Sequence, residues 1–377
     1  MESQILYLNN AATSWPKPEP VRAAINEALD APAFGSGRTA GTEGTDYIAL
    51  AREKVAGLLH ADGNICFTHN ATDALNILIS GFLASHRGCH VLTTELDHNS
   101  VLRPLHEHQM QNTCTYTAVP FDPATCTVSP ETLAEAVTPA TRLAVITHAS
   151  NVLGSVQDIR KIAAALHESG IFVIVDGSQS AGHIPIDLQT LGADAFVFTG
   201  HKGLFGIPGT GGFWIADPAQ IEPTRFGGTG TFSQDLMHPR SMPERFETGT
   251  QNYVGLAALA AGISFLESRG IDQIHAQGHA QSARICAALD ALPGVSLLNR
   301  SPGIPIIAFT AADVSADDIG FVLSRKYHIV SRSGLHCAPL VHRRLGIPGS
   351  VRLSLSAMTT DDECNQVCAA LETMFRG

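Results

Sequence analysis

The sequence predicts an α/β protein: a mostly parallel sheet covered by helices on both faces, followed by a smaller α+β domain. Three observations predict it. Short apolar, β-rich runs recur through the first two-thirds of the chain: Ile65 to Thr68, His90 to Thr93, Leu143 to Thr147, Phe172 to Asp176 and Ala195 to Thr199. Between them lie stretches of helical periodicity, such as DALNILISGFLAS after Thr72 and DIRKIAAALHES after Gln157, each opening on a polar residue able to cap a helix. After Thr250 the texture changes to a long helix, YVGLAALAAGISFLESRG, then further helix, then short strands around Ile306 to Phe309 and Val351 to Leu355. The boundary is therefore expected at 250, with residues 1–250 forming an N-terminal arm and large domain and 251–377 a small C-terminal domain.

A chain of 377 residues, 44% hydrophobic, can bury a large core. Its formal charge of −11 provides no global basic field for a polyanion, so neither nucleic acid nor a membrane surface is an expected partner. The opening MESQILYLNNAATSWP lacks a basic region followed by an apolar run, and no segment is long and apolar enough to span a bilayer, so the expected location is the cytoplasm. The eight cysteines are scattered without a CxxC pair and read mostly as reduced, buried thiols. Among the 17 histidines there is no HExxH or other ligand spacing. His106 and His108, two apart on a helix, are expected at its surface, and no metal is expected. No phosphate loop or dinucleotide fingerprint is present; Gly35-Ser-Gly37 lacks a clear strand before it and a helix after it. The Pro/Gly-rich segments PAFGSGRTAGTEG and RFGGTGTFSQ are expected to be ordered loops at a site.

In an open α/β sheet, ligands sit beyond the carboxyl ends of the strands, so residues that end strands are the first candidates. Phe172-Val-Ile-Val-Asp176 ends in a carboxylate. Ala195-Phe-Val-Phe-Thr199 leads into Gly200-His201-Lys202 and then the glycine-rich Gly203 to Gly212. A lysine amine can hold an aldehyde cofactor as a Schiff base, and a carboxylate can keep a pyridine nitrogen protonated as an electron sink. Asn70-Ala71-Thr72-Asp73 stands where a strand turns into a helix, a place suited to a phosphate, and Thr199 and His201 can add side-chain donors. Singly, each residue has a plainer reading: Asp176 and Thr72 as helix caps, Lys202 as a solvated loop lysine.

Together, the motifs resemble the class-V aminotransferase group of fold-type-I pyridoxal-phosphate enzymes, specifically the cysteine desulfurases and selenocysteine lyases. The resemblance rests on Tyr7-Leu-Asn-Asn-Ala-Ala-Thr13, Phe67-Thr-His-Asn-Ala-Thr-Asp-Ala-Leu-Asn76, Glu95-Leu-Asp-His98, Ser150-Asn-Val-Leu-Gly154, Asp176-Gly-Ser-Gln179, Thr199-Gly-His-Lys202, Arg245-Phe-Glu-Thr-Gly-Thr250 and Arg332-Ser-Gly-Leu-His-Cys337-Ala, in the family's order. It implies a seven-stranded sheet in the large domain and pyridoxal 5'-phosphate bound to Lys202. It further implies Asp176 on the pyridine nitrogen, Gln179 and Asn151 near the ring hydroxyl, and His98 stacked on the ring. Ala71, through its backbone, with Thr72, Thr199 and His201, would hold the phosphate. Thr250 would reach the phosphate of a neighbouring subunit, making a homodimer the expected assembly.

Arg352, in Ser350-Val-Arg-Leu-Ser354, is implied to grip the substrate carboxylate with help from Arg332, a guanidinium fork being suited to that task. Cys337 would take sulfur from L-cysteine as a persulfide and pass it to a separate acceptor protein, while L-alanine is released. L-selenocysteine is the alternative substrate. An aminotransferase or other C–S lyase in which Cys337 is incidental is another reading, and a non-catalytic cofactor-binding scaffold a further one. Three departures stand out: Asn9 in place of the usual aspartate, Ala71 in place of a threonine, and Ala357-Met358-Thr359 in place of a Tyr-Asn-Thr after the arginine strand.

Overall fold

The computed structural model describes residues 5–32, 44–231 and 233–376. Most of the glycine-rich segment from Pro32 to Gly44, with Gly35 and Gly37, lies outside them, as does Phe232 in the second such segment. Thirteen strands are present among the described residues: β1 (Leu6–Tyr7), β2 (Ile65–Thr68), β3 (Cys89–Thr94), β4 (Cys114–Val119), β5 (Thr141–Thr147), β6 (Phe172–Asp176), β7 (Ala195–Thr199), β8 (Gly211–Ile215), β9 (Val295–Leu297), β10 (Ile306–Ala311), β11 (Ile329–Val330), β12 (Arg332–Gly334) and β13 (Ser350–Ser354). Seven form one sheet in the order β2-β8-β7-β6-β5-β3-β4, parallel from β7 to β4, with β8 antiparallel to both its neighbours. The expected α/β class and seven-stranded, mostly parallel sheet are therefore found.

Side chains alternate between two cores. Along β6, Val173 and Val175 enter one cluster with the helix Ile159–His167, while Ile174 enters the other with the helix Ala71–Ser85. A sheet covered on both faces has apolar residues at successive positions, which is why these strands read as continuous apolar runs. Each such side chain contributes about 1.5–3 kcal/mol on burial.

Four helices occupy the first third of the chain: α1 (Glu19–Asp30), α2 (Tyr47–Leu59), α3 (Ala71–Ser85) and α4 (Asn99–Met110). Helix α3 begins where Asn70 accepts a hydrogen bond from Asp73 N at 3.0 Å, and α4 where His98 accepts one from Ser100 N at 3.0 Å. His106 lies exposed on α4, whereas His108 is half-buried and bonds Ser80 and Thr113.

A second, four-stranded antiparallel sheet, β12-β13-β10-β9, packs against the helices Ile271–Asp290 and Asp361–Arg376. The N-terminal segment joins this unit, because β1 pairs in parallel with β11. The helix Tyr253–Arg269 packs the other way: Leu256, Leu259, Ile263 and Leu266 enter the core of the large sheet. Six of the eight cysteines are buried, as expected of the plain thiols; Cys368, expected among them, is only partly buried against the core of the small unit, and Cys337 is also partly exposed. No single helix among the described residues is long and apolar enough to cross a membrane.

Candidate active site

The carboxyl ends of the parallel strands meet the small unit at a cavity of about 290 Å³. Asp176 closes β6, and Lys202 follows β7 by three residues. Because Asp176 and Val197 are register partners, the acid and the amine arrive side by side. One Asp176 oxygen accepts hydrogen bonds from the backbone (2.9 Å) and hydroxyl of Ser178, which fixes the carboxylate plane. Its other oxygen has no hydrogen-bond partner among the described residues. Lys202 Nζ has none either, and burial pushes its pKa down to about 8 against the raising effect of Asp176, with Arg352 and Arg332 adding to the fall. An amine so placed is partly neutral, and therefore nucleophilic, near neutral pH.

Facing this pair is an anion cradle. With Asn70 capping the N–H of Asp73, the N–H groups of Ala71 and Thr72 at the start of α3 are left without protein partners. Strand β8 approaches so closely that a Cβ on Gly211 would lie 2.7 Å from Asn70 Cα and 3.0 Å from Ala71 N. Only glycine leaves the turn open there. Thr199 Oγ1 and His201 Nδ1 line the same cavity, buried and without partners. Burial and the Lys202 charge push His201 to about 4, so its imidazole is neutral and can donate. Thr72 Oγ1 lies 2.7 Å from Ser100 Oγ, and Ser100 Oγ 2.8 Å from His98 Nδ1. Since Ser100 N donates to Nδ1, the ring proton of His98 sits on Nε2, and burial with the charge of Lys202 lowers this imidazole to about 4.

Gln179 donates through Nε2 to Ala11 O at 3.0 Å, which leaves its buried Oε1 open as an acceptor. Asn151 lines the cavity, but its side-chain amide donates to His336 O at 2.7 Å and so supports the neighbouring loop. Buried polar atoms without partners cost about 1–3 kcal/mol each. Here the orphans are a hydroxyl, a ring nitrogen and an amide oxygen around a free amine, a free carboxylate oxygen and a helix N-terminus. That donor set fits pyridoxal phosphate group by group: phosphate, ring hydroxyl, ring nitrogen and aldehyde.

The far wall carries two guanidinium groups. Arg332 on β12 and Arg352 on β13 are cross-strand partners. Arg352 is 1% exposed, donating to Asn151 O at 2.8 Å and Asn9 Oδ1 at 3.1 Å, while Nε has no partner. Burial, reinforced by the adjacent Arg332 charge, pushes Arg352 down to about 9. Neither arginine forms a salt bridge with a carboxylate among the described residues. Two neighbouring cations without a counter-charge form a binding site for an anionic group.

Cys337 does not line the cavity itself, but its Sγ lies 3.5 Å from Arg332 Nη2, and Arg332 does line it. The loop is held by its backbone and by hydrogen bonds. His336 and Cys337 both adopt left-handed backbone angles, φ 53° and 59°, which non-glycine residues hold only when their surroundings impose it. His336 Nε2 contacts Ser350 O at 3.0 Å, and Cys337 O accepts from Asn99 N at 2.7 Å. The backbone of Cys337 is thereby tethered to the start of α4, next to His98.

Thr250 stands apart, lining a separate cavity of about 40 Å³ with Phe67, Thr68, Arg225 and Gln251. The remaining expected residues, Ala71, Thr72, His98, Asn151, Asp176, Gln179, Thr199, His201, Lys202, Arg332 and Arg352, line one cavity. Ser100 and Ser178 are not singled out by the sequence, whereas His336 is expected as a positive neighbour of Cys337 in a structured loop; burial and the Arg352 charge instead hold its imidazole neutral. Ser178 carried a signal, since a serine two residues after an aspartate favours a local side-chain turn.

A family model described as Aminotransferase class-V matches residues 6–367. A probable cysteine desulfurase of Methanothermobacter thermautotrophicus is 32% identical over 383 positions, covering 97% of this chain and 94% of that protein. The apo structure of a cysteine desulfurase from Thermococcus onnurineus NA1 superimposes with a TM-score of 0.90 at 27% identity, covering 99% and 95% of the two chains. The cysteine desulfurase CsdA from Escherichia coli gives 0.87 at 26% identity, over 100% and 96%.

Proposed function

The chain belongs to the aminotransferase class-V family, and from that premise we propose that it is a pyridoxal-phosphate-dependent cysteine desulfurase, converting L-cysteine to L-alanine with a persulfide on Cys337. One observation carries this reading: Arg332 borders both the cavity, beside its partner Arg352, and the thiol of Cys337. An amino acid whose carboxylate is held by the arginine pair has its side chain in reach of that thiol.

Lys202 would hold the cofactor, Asp176 would keep a proton on its ring nitrogen, and the Ala71 and Thr72 N–H groups with Thr199 and His201 would hold its phosphate. His98 would stack on the ring, and Gln179 would accept from the ring hydroxyl. When bound, pyridoxal phosphate supplies an electron sink that stabilises negative charge at the substrate's Cα and weakens its Cβ–S bond. Arg352 and Arg332 orient the carboxylate, while Lys202 Nζ takes the Cα proton and returns one in the product. Cys337 Sγ, as thiolate, attacks the substrate sulfur: an S–S bond forms, the Cβ–S bond breaks, and its electron pair ends as a C–H bond of alanine. One cysteine and one enzyme thiol give one alanine and one enzyme persulfide, so atoms and electrons balance.

The same proposal includes a homodimer, in which Thr250, outside its own chain's cavity, serves the partner's phosphate, together with a sulfur-acceptor protein and a cytoplasmic location. The division at 250/251 belongs to it as well, with the helix Tyr253–Arg269 after it packing back onto the core of the large sheet.

The test is alanine release from L-cysteine under reductant, comparing wild type with Cys337→Ala and Lys202→Ala at matched cofactor occupancy. Stoichiometric alanine and sulfide in wild type, lost in both variants, is the expected result. Pyruvate as product, or full activity in Cys337→Ala, would overturn the desulfurase reading in favour of a lyase or aminotransferase.

A further inference from the structure

We propose that residues 9–17 form a strap that sets the position of Lys202, with Lys17 as a positioning residue that pins the His201 carbonyl immediately before it. Four donors from this short segment converge on that one oxygen: Ser14 N at 2.9 Å, Thr13 Oγ1 at 3.0 Å, Ser14 Oγ at 3.1 Å and Lys17 Nζ at 3.2 Å. Lys17 Nζ also donates to Ser14 Oγ at 2.7 Å, so the ammonium reaches the carbonyl both directly and through the hydroxyl. Ordinary backbone carbonyls accept one or two hydrogen bonds. The consequence for Lys202 follows from peptide planarity: the atoms from Cα of His201 to Cα of Lys202 lie in one plane, so holding the oxygen holds the point from which the catalytic side chain departs.

Two further facts separate Lys17 from a surface lysine. It has no carboxylate partner among the described residues, and its ammonium is spent on a neutral carbonyl and a hydroxyl. It is also half-buried, and burial pushes its pKa down to about 8, as expected of a cation kept in place by geometry rather than by a counter-ion. The strap itself is held along its length. Tyr7 Oη donates to Thr13 O at 2.9 Å, Asn10 Nδ2 to Ser354 O at 2.9 Å, Gln179 Nε2 to Ala11 O at 3.0 Å, and Arg352 Nη2 to Asn9 Oδ1 at 3.1 Å. One segment of the chain therefore touches the arginine assigned to the substrate, the glutamine assigned to the cofactor ring and the peptide that carries the reacting amine.

The proposal rests on the reading of Lys202 as the cofactor-holding amine, and the test separates the two. Lys17→Met is compared with Lys17→Arg, which keeps charge and donors, and with Ser14→Ala, which keeps the cation and removes the relay. A displaced amine slows the proton transfers without changing substrate capture, so kcat falls about tenfold in Lys17→Met with KM within about twofold, and Lys17→Arg restores most of it. In the resting holoenzyme the visible absorption of the Lys202–cofactor linkage moves its titration midpoint by about half a pH unit or more in Lys17→Met and by less in Lys17→Arg. Ser14→Ala gives a smaller change in the same direction. A wild-type kcat and midpoint in Lys17→Met would overturn the positioning role, as would an arginine variant no better than methionine. A colourless wild type that takes up no cofactor would overturn the functional reading itself.

Discussion

Arg352 shows how much one side chain can be asked to do. It is buried, its Nη1 and Nη2 are held by Asn151 O and Asn9 Oδ1, and its neighbour across the ladder is another cation. Replacement by lysine would keep the charge and lose the planar fork. Arg352→Lys is therefore expected to raise KM for the amino acid about 10- to 100-fold, the equivalent of one or two charge-assisted hydrogen bonds, while leaving cofactor colour unchanged; steady-state kinetics with an absorption spectrum checks both. Asn9 bears on the same group. As an amide it orients the guanidinium without neutralising it, so Asn9→Asp should compete with the substrate carboxylate and raise KM severalfold, with little change in kcat.

At the scale of elements, the junction of β8 with the start of α3 decides whether an anion can sit on the helix N-terminus. Gly211 faces backbone atoms of Asn70 and Ala71 that cannot move aside as a flexible side chain would. Gly211→Ala is expected to push the turn out of place and weaken cofactor retention at least tenfold, measured as cofactor lost on dialysis, while far-ultraviolet circular dichroism stays that of the wild type. The neighbouring Arg52–Glu247 pair ties α2 and the 245–250 segment to β2: Arg52 donates to both Glu247 oxygens at 2.9 and 3.0 Å, and Phe67 N donates to Glu247 Oε1 at 2.7 Å. Breaking it on one side with Arg52→Met strands a nearly buried carboxylate and should cost about 3 kcal/mol in denaturant unfolding. Arg52→Met with Glu247→Gln should recover part of that loss.

Across the whole molecule, the response to acid is set by buried imidazoles. Burial holds His148 and His183 neutral, with pKa values near 4. In the unfolded chain they titrate near 6.5, so between pH 6.5 and 4 the unfolded state binds protons that the folded state refuses. Their contribution to stability is complete above about 6.5 and is lost as pH falls, by at most on the order of 3 kcal/mol each. Asp97 works in the opposite sense: burial raises it to about 7, so its contribution is present below about 3.9 and fades as pH rises toward 7. With two fully buried imidazoles against one acid, melting temperature should drop on going from pH 7 to pH 4.5. His148→Gln should flatten that slope; an unchanged slope would exclude His148 as a contributor.

What the sequence determined by itself was whatever local chemistry repeats or ends an element. Ile65–Thr68, Phe172–Asp176 and Ala195–Thr199 were read with their bounds because apolar runs between helical stretches leave no other assignment, and Asp176 and Lys202 were found because they follow such runs. The motif order then pointed to eleven residues that line one cavity. Other elements escaped because their signals are not local. Strand β8 hides in a glycine-rich stretch whose small residues serve a close approach rather than a loop, and edge strand β4 alternates buried and exposed positions too weakly to stand out. Only the tertiary structure decided that Asn9 holds Arg352 from 343 positions away, that His336 and Cys337 take left-handed angles beside Arg332, and that Thr13, Ser14 and Lys17 gather on the His201 carbonyl. Those contacts depend on where two sheets and an N-terminal strap meet, and periodicity along a chain carries no information about distance across it.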